Sequence, residues 1–312
     1  MNKNEALKIV KNNGLDLKSL PREFKKDKDI VLKAISQYGY SLKYADISLK
    51  KNKKIVEKAV KKFGYALEFA HESLKKDKEI VLKAVKQNGY ALEFAHKSLK
   101  KDRDVVSETI NQNGYALKYV DRKLRKVKSL VLKAVKNYCF SLKYADISLK
   151  QDKEIVSEAI KQYGYSLKYA DKKLKKDKDL VLAACKKNVF SLLYADDSLK
   201  KDKEFIIKAI KKCSFGTFLE YVDDKLKKDR DVVIAAVRQW GTSLQYANKI
   251  FKKDKEIVLC AVKQYGEAFQ HADLSLKNEK EFVLKVLKIS SSIESFIEDG
   301  LKRDPDILSL LN

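Results

Sequence analysis

Apolar residues along this chain fall in two spacings that alternate and then recur. Ile80, Val81, Ala84 and Val85 share one face at helical spacing, and Leu92, Ala95 and Leu99 follow at i, i+3 and i+7. Asp77 stands before the first run and Gly89 between the two. The pattern predicts an α-helix of about three turns after Asp77, a turn at Gly89, and a second, shorter helix broken near His96. No stretch alternates long enough to make a strand.

The whole pattern returns every 25 residues. Tyr44-Ala45-Asp46-Ile47-Ser48-Leu49-Lys50 has counterparts starting at Phe69, Phe94, Tyr119, Tyr144, Tyr169 and Tyr194. After a two-residue insertion near Gly216-Thr217-Phe218, it returns at Tyr221, Tyr246 and His271. A period of this size marks a repeat architecture, in which each unit buries its apolar face against its neighbours. The expected fold is all-α: a right-handed α-solenoid (superhelix) of about twelve 25-residue helical-hairpin repeats. Neighbouring helices about 8–10 Å apart would give a body on the order of 100 Å long. A single domain over 1–312 is expected, with a capping helix in 1–14, tandem repeats over 15–303 and a second capping helix in 304–312. The insertion lies in a turn, where extra length costs little, and predicts a local change of curvature.

Helix caps support this register. The position of Asp77 is Asp or Asn in most repeats from Asn2 to Asp304, Glu279 in one and Val127 in another. Asp and Asn accept the orphan N–H groups of a first turn. Val127 alone has no side chain that could cap, so its helix start is expected to be the weakest. Gly14, Gly39, Gly64, Gly89, Gly114, Gly164, Gly241 and Gly266 follow the long helices, as left-handed C′ residues would. Cys139, Val189 and Ser214 in that column predict another exit geometry or strain. Pro21 implies a helix start or break, and Pro305 a first helical position.

Composition fits a helical repeat: 45% hydrophobic, 36% charged and only two prolines. No apolar run approaches the roughly 18 residues of a membrane span. The start lacks the apolar stretch of a secretory signal, which points to a cytoplasmic protein. Cys139, Cys185, Cys213 and Cys260 occupy four different columns without a paired spacing, as isolated thiols would.

The unit A-L-E-F-A-H-E-S-L-K-K-D-K-E-I-V-L-K-A-V-K-Q-N-G, Ala66–Gly89, resembles the tandem repeats catalogued as domain of unknown function 4116. Those are helical units of bacterial proteins, some of them effectors of intracellular bacteria, and of some protists. The resemblance covers almost the whole chain. It implies a binding module, carries no catalytic residues and leaves the ligand open. It also allows delivery into a host cell by a non-classical route.

Charge supplies the strongest candidate for chemistry. The net charge is +25, spread along the chain. A basic pair precedes the N-cap in most repeats: Lys50-Lys51, Lys75-Lys76, Lys100-Lys101, Arg125-Lys126, Lys175-Lys176, Lys200-Lys201, Lys227-Lys228 and Lys252-Lys253. Stacked repeats would align these pairs into a track for phosphates or acidic side chains. Lysine far outnumbers arginine, so contact with nucleic acid would be to the backbone, with little base readout.

Three aromatic columns accompany the charge. The Tyr44 column is expected in the core, and the Tyr40 column, including Phe215, over the inter-helix turn. The third column, Tyr38, Phe63, Asn88, Asn113, Tyr138, Tyr163, Asn188, Trp240 and Tyr265, is the most variable in residue type, a candidate ligand-reading position. His71, His96 and His271 are too scattered for a metal site. No glycine-rich phosphate cradle, catalytic constellation or cofactor motif stands out from the repeat, so neither enzyme activity nor a small-molecule substrate is expected.

The sequence therefore leads to a non-enzymatic, monomeric scaffold for nucleic acid or an acidic protein surface, nucleic-acid backbone slightly favoured. The alternative is a protein–protein interaction solenoid, an effector or inhibitor wrapping a protein target on its concave face, with charge serving solubility. A spacer of stability alone is the third reading.

Overall fold

Asp77 shows how each long helix begins. Its carboxylate accepts the N–H of Glu79 at 2.9 Å and of Ile80 at 3.2 Å, opening the ten-residue helix Lys78–Gln87. Ile80, Val81, Ala84 and Val85 are buried along its inner face. Asn88 ends it in extended geometry, φ −152°, and the six-residue 3-10 helix Gly89–Phe94 follows. Ala95 is extended again, and one further helical turn, Leu99–Lys101, closes the repeat. In other repeats that last turn is a four-residue α-helix, such as Ile47–Lys50 or Glu72–Lys75. The computed structural model describes residues 1–213 and 216–311, and among these there is no strand.

The break expected near His96 is present, but what precedes it is a 3-10 helix and not α. Three residues per turn put Gly89 and Leu92 on one side, where both are buried with Ala91. The fold is an all-α repeat solenoid whose repeats each hold one long helix and two short helical pieces. Its ends are the helices Lys3–Asn12 and Pro305–Leu311, and Asn312 lies outside the described residues.

Two compact units are distinguished, Met1–Ala159 and Ile160–Asn312. Within each, the repeats are tied in register by a backbone hydrogen bond. The break residue of one repeat donates its N–H to the carbonyl of the first basic residue of the repeat before. His71 thus reaches Lys50, His96 reaches Lys75 and Asp121 reaches Lys100, each at 3.0 Å. In the second unit, Asp196 reaches Lys175 at 3.0 Å and Asp273 reaches Lys252 at 2.9 Å.

The glycine column has a different cause from the one its sequence position suggested. Among the described residues only Gly216 has positive φ, 93°. Most of the column glycines instead lie close against the next long helix: a Cβ on Gly114 would lie 2.2 Å from the carbonyl oxygen of Ala134, and one on Gly164 2.2 Å from that of Ala184. Cys139 and Val189 accordingly need no unusual exit. They open the 3-10 helices Cys139–Tyr144 and Val189–Tyr194 after extended caps like those elsewhere. Val189 meets Gly216, where a Cβ would come within 2.5 Å of its Cγ1. The insertion thus places a glycine opposite the valine. Ser214 and Phe215 lie outside the described residues.

The cap column holds with two exceptions. Val127 makes no capping bond, as expected. Glu279 makes none either; its carboxylate, carried one methylene further than that of aspartate, pairs with Lys255. Pro21 and Pro305 take the predicted positions, as the N-cap of Arg22–Lys26 and the first residue of Pro305–Leu311.

Candidate polyanion-binding edge

The two members of each basic pair sit in different environments. The first is half-buried in every repeat and the second is exposed. The last short turn ends at the pair, and its direction sends the first side chain back over the 3-10 helix. Lys50 Nζ donates to the carbonyl of Lys43 at 2.7 Å, Lys100 to that of Glu93 at 2.6 Å and Lys252 to that of Gln245 at 2.8 Å. Arg125 Nε does the same to Val120 at 2.7 Å. Each cation thereby satisfies a carbonyl left open near a helical C-terminus. Burial lowers the pKa of Lys50, Lys100, Arg125, Lys175 and Lys252 below their ordinary values.

A local acid changes this geometry. Where an acid stands three residues earlier, the first lysine turns to it: Lys75 to Glu72 at 2.9 Å, Lys200 to Asp197 at 3.1 Å and Lys227 to Asp224 at 2.9 Å. Lys50, Lys100, Arg125 and Lys252 have Ile47, Lys97, Arg122 and Lys249 at that place, and these four fold onto the backbone.

The second members form the free part of the edge. Lys101, Lys126, Lys176 and Lys253 reach only to 3.9–4.0 Å from Asp121, Asp146, Asp196 and Asp273 of the following repeat. Lys51, Lys76 and Lys228 face repeats with His71, His96 and Asn248 in place of that aspartate. These three, with Lys201, make no ion pair among the described residues. Exposed pairs of this length contribute little and exchange readily with a stronger anion.

A further set of ion pairs was not anticipated. In several repeats the first residue of the long helix reaches the cap and the second helical position of the next. Lys53 Nζ lies 2.9 Å from Asp77 and 2.8 Å from Glu79; Lys78 lies 2.9 Å from Asp102 and 2.6 Å from Asp104. Lys203 repeats the arrangement with Asp229 and Asp231 at 2.9 and 2.6 Å, and Arg230 with Asp254 and Glu256. Hydrogen bonds from Lys53 and Lys83 pull Glu79 down to about 2. Part of the chain's positive charge is thus committed between repeats. The signal was present as cations and acids 24 and 26 residues apart, meaningful only once stacking is known. Lys28 and Arg103 stand outside the series, because Asn52 and Lys54 in one case and Val127 and Ser129 in the other occupy the places of the acids.

The variable column turns out to be the C-cap of the long helices. Asn88, Asn113 and Asn188 accept the N–H groups of Tyr90, Tyr115 and Phe190, each at 2.9 Å, and so cap the 3-10 helices. Phe63 and Tyr138 pack on Tyr65 and Phe140, with ring centroids 5.7 and 5.5 Å apart, and Tyr163 packs on Tyr165. Tyr38, Trp240 and Tyr265 occupy the same C-cap, Tyr38 remaining 53% exposed.

The Tyr44 column is half-buried and not core. Its rings meet the Tyr40 column of the preceding repeat edge-on, as Phe69 does Tyr40 and Tyr144 does Tyr115, both at 5.0 Å. Lys118 Nζ lies 4.4 Å from the Tyr119 ring.

The histidines have structural positions. His71 and His96 Nδ1 accept from the N–H groups of Ser73 and Ser98, so they cap short turns. All four cysteines are free, and burial pushes the Cys213 thiol up to about 11. Among the described residues, no group of three or more His, Cys, Asp or Glu could hold a metal ion, and no helix is long and apolar enough to cross a membrane.

The family model described as domain of unknown function (DUF4116) matches residues 2–50, 52–100, 81–125, 128–175, 177–216, 213–252 and 254–311. No curated protein and no solved structure matches the chain.

Proposed function

The chain belongs to the DUF4116 family, and on that premise we propose that it is a non-enzymatic repeat scaffold that binds an acidic macromolecule, nucleic-acid backbone before acidic protein surface. The observation that carries this reading is the division within the basic pairs. The first cation is used by the fold, while the second stays exposed at the same place in repeat after repeat. In the first unit these are Lys51, Lys76, Lys101 and Lys126; in the second they are Lys176, Lys201, Lys228 and Lys253. The register bonds between repeats keep such positions equivalent within a unit.

Lysine is a point charge on a flexible stem, suited to phosphate and not to the planar reading of a base. Binding without sequence preference follows. His71 and His96 cap short turns by accepting the N–H groups of Ser73 and Ser98, which supports a binding role. In this reading the protein acts as a monomer in a cytoplasm, its own or that of a host cell.

A salt titration with random single-stranded oligonucleotides tests the proposal. Log K falls with log salt at about −0.7 per phosphate neutralised, so four outward lysines imply a slope of about −3. Binding with that slope supports nucleic acid. No binding at about 50 mM salt removes it and leaves an acidic protein surface as the partner class.

A further inference from the structure

The sixth position of the long helices is charged throughout the first unit and small in three helices of the second. In Met1–Ala159 the fifth and sixth helical positions include Glu57-Lys58, Leu82-Lys83, Ser107-Glu108 and Leu132-Lys133. In Ile160–Asn312 Ile207-Lys208 and Leu284-Lys285 keep this pattern, while in Leu182-Ala183, Ile234-Ala235 and Leu259-Cys260 a small residue replaces the charged member. Between the helices Lys203–Lys212 and Arg230–Gln239 this leaves a groove of about 560 Å³. Ile207, Ile234 and Ala235 are half-buried along it, and Lys211 and Arg238, the ninth residues of the two helices, stand on its opposite walls.

The charges around this groove are unequal. Asp231 is held by Lys203 at 2.6 Å. Lys211 and Arg238 make no ion pair among the described residues. In the first unit, by contrast, Lys61 and Lys83 converge on Glu57 at 2.9 and 3.0 Å, so the equivalent crossing is closed by its own charges.

We propose that this groove receives an amphipathic helix of a protein partner. Aliphatic side chains of that helix cover Ile207, Ile234 and Ala235, and carboxylates on its two flanks pair with Lys211 and Arg238. A ridge of aliphatic side chains fits a channel between two helices, as in helix-in-groove recognition. The floor is aliphatic and gives nucleic-acid bases no aromatic surface to stack on. The two cations, one on each wall, select acids on both flanks. The site is separate from the lysine edge and stands whether or not that edge binds nucleic acid.

The test is selection of a displayed library of amphipathic helices, about 20 residues long with randomised surfaces, on the full chain and on the Ile207→Ser/Ile234→Ser variant. Serine is the residue that Ser107 supplies in this column, so the variant is expected to fold with an unchanged circular dichroism spectrum. The expected result is enrichment of helices with aliphatic residues at i, i+3 or i+4 and i+7 and acids on both flanks. Binding of the enriched peptides should fall about tenfold or more on the serine variant and on Lys211→Glu/Arg238→Glu. The proposal is overturned by absence of enrichment, or by enriched helices that bind all variants alike. It is equally overturned if Ile207→Ser/Ile234→Ser abolishes only vesicle binding or self-association of the chain, which would assign the groove to lipid or to a second copy.

Discussion

The amide of His71 donates to the carbonyl of Lys50 at 3.0 Å, one repeat back in the chain. Ala70 and His71 are both extended, which breaks the short helical path and turns this N–H toward the neighbouring repeat. The bond fixes the stacking register at the residue where the basic pair begins. His71 already has φ −62°, a value that proline adopts, and Ala70 before it is extended as a residue preceding proline prefers. Substituting His71→Pro therefore removes the donor and the imidazole cap with little backbone conflict. Chemical denaturation should show a loss of about 1–3 kcal/mol. His71→Asp, which keeps both roles, should remain within about 0.5 kcal/mol of the parent. Equal stability of the two variants would deny the inter-repeat bond its role.

Gly114 predicts the cost of close stacking. Its substitution by alanine drives a Cβ to 2.2 Å from a backbone carbonyl that cannot swing away. We expect Gly114→Ala to destabilise by about 2 kcal/mol or more. Gly300, with nothing within 4 Å of an added Cβ, should accept alanine with a gain of about 0.5–1 kcal/mol. Thermal melts of the two variants should move in opposite directions.

The uncapped start at Val127 can be repaired. Val127→Asp supplies the carboxylate that caps other long helices and a partner for Arg103, as Asp102 serves Lys78. The expected gain is about 0.5–2 kcal/mol in urea denaturation. A loss would mean that the valine packs more usefully than a cap.

Buried serines give a fourth test. The Oγ atoms of Ser141, Ser166, Ser191 and Ser243 are buried without a hydrogen-bond partner among the described residues. Ala66, Ala91 and Ala116 fill the same column. Ser191→Ala should therefore be neutral or stabilising by about 1 kcal/mol. Ser41→Ala should cost about 1 kcal/mol, because Ser41 donates to the Gly14 carbonyl at 2.9 Å. Denaturant midpoints that fall equally for both would contradict this distinction.

Several of these features were legible in the chain. Asp77 and its counterparts announced their helices because an N-cap acts locally, within three residues. Val127 was visible for the same reason. Gly114 was recognised as special but for the wrong cause, since left-handed C′ glycines and glycines under close contact look alike in sequence. The distinction depends on the carbonyl of Ala134, twenty residues on. The 3-10 geometry of Gly89–Phe94 was hidden because six residues are too few to separate periods of 3.0 and 3.6. The two members of Lys50-Lys51 could not be told apart from type alone. Their separation arises from the acceptor that the fold offers the first member alone, here the carbonyl of Lys43.

The division of the basic pairs is tested most directly by comparing two fourfold variants in one oligonucleotide-binding and denaturation experiment. One reverses the outward residues Lys51, Lys76, Lys101 and Lys126 to glutamate, and the other replaces their inward neighbours Lys50, Lys75, Lys100 and Arg125 by methionine. We expect the outward variant to keep its denaturation midpoint and lose binding by about tenfold or more at about 100 mM salt. The inward variant should lose stability while retaining affinity at temperatures where it is folded. Unchanged affinity in the outward variant, with its fold intact, would contradict the account.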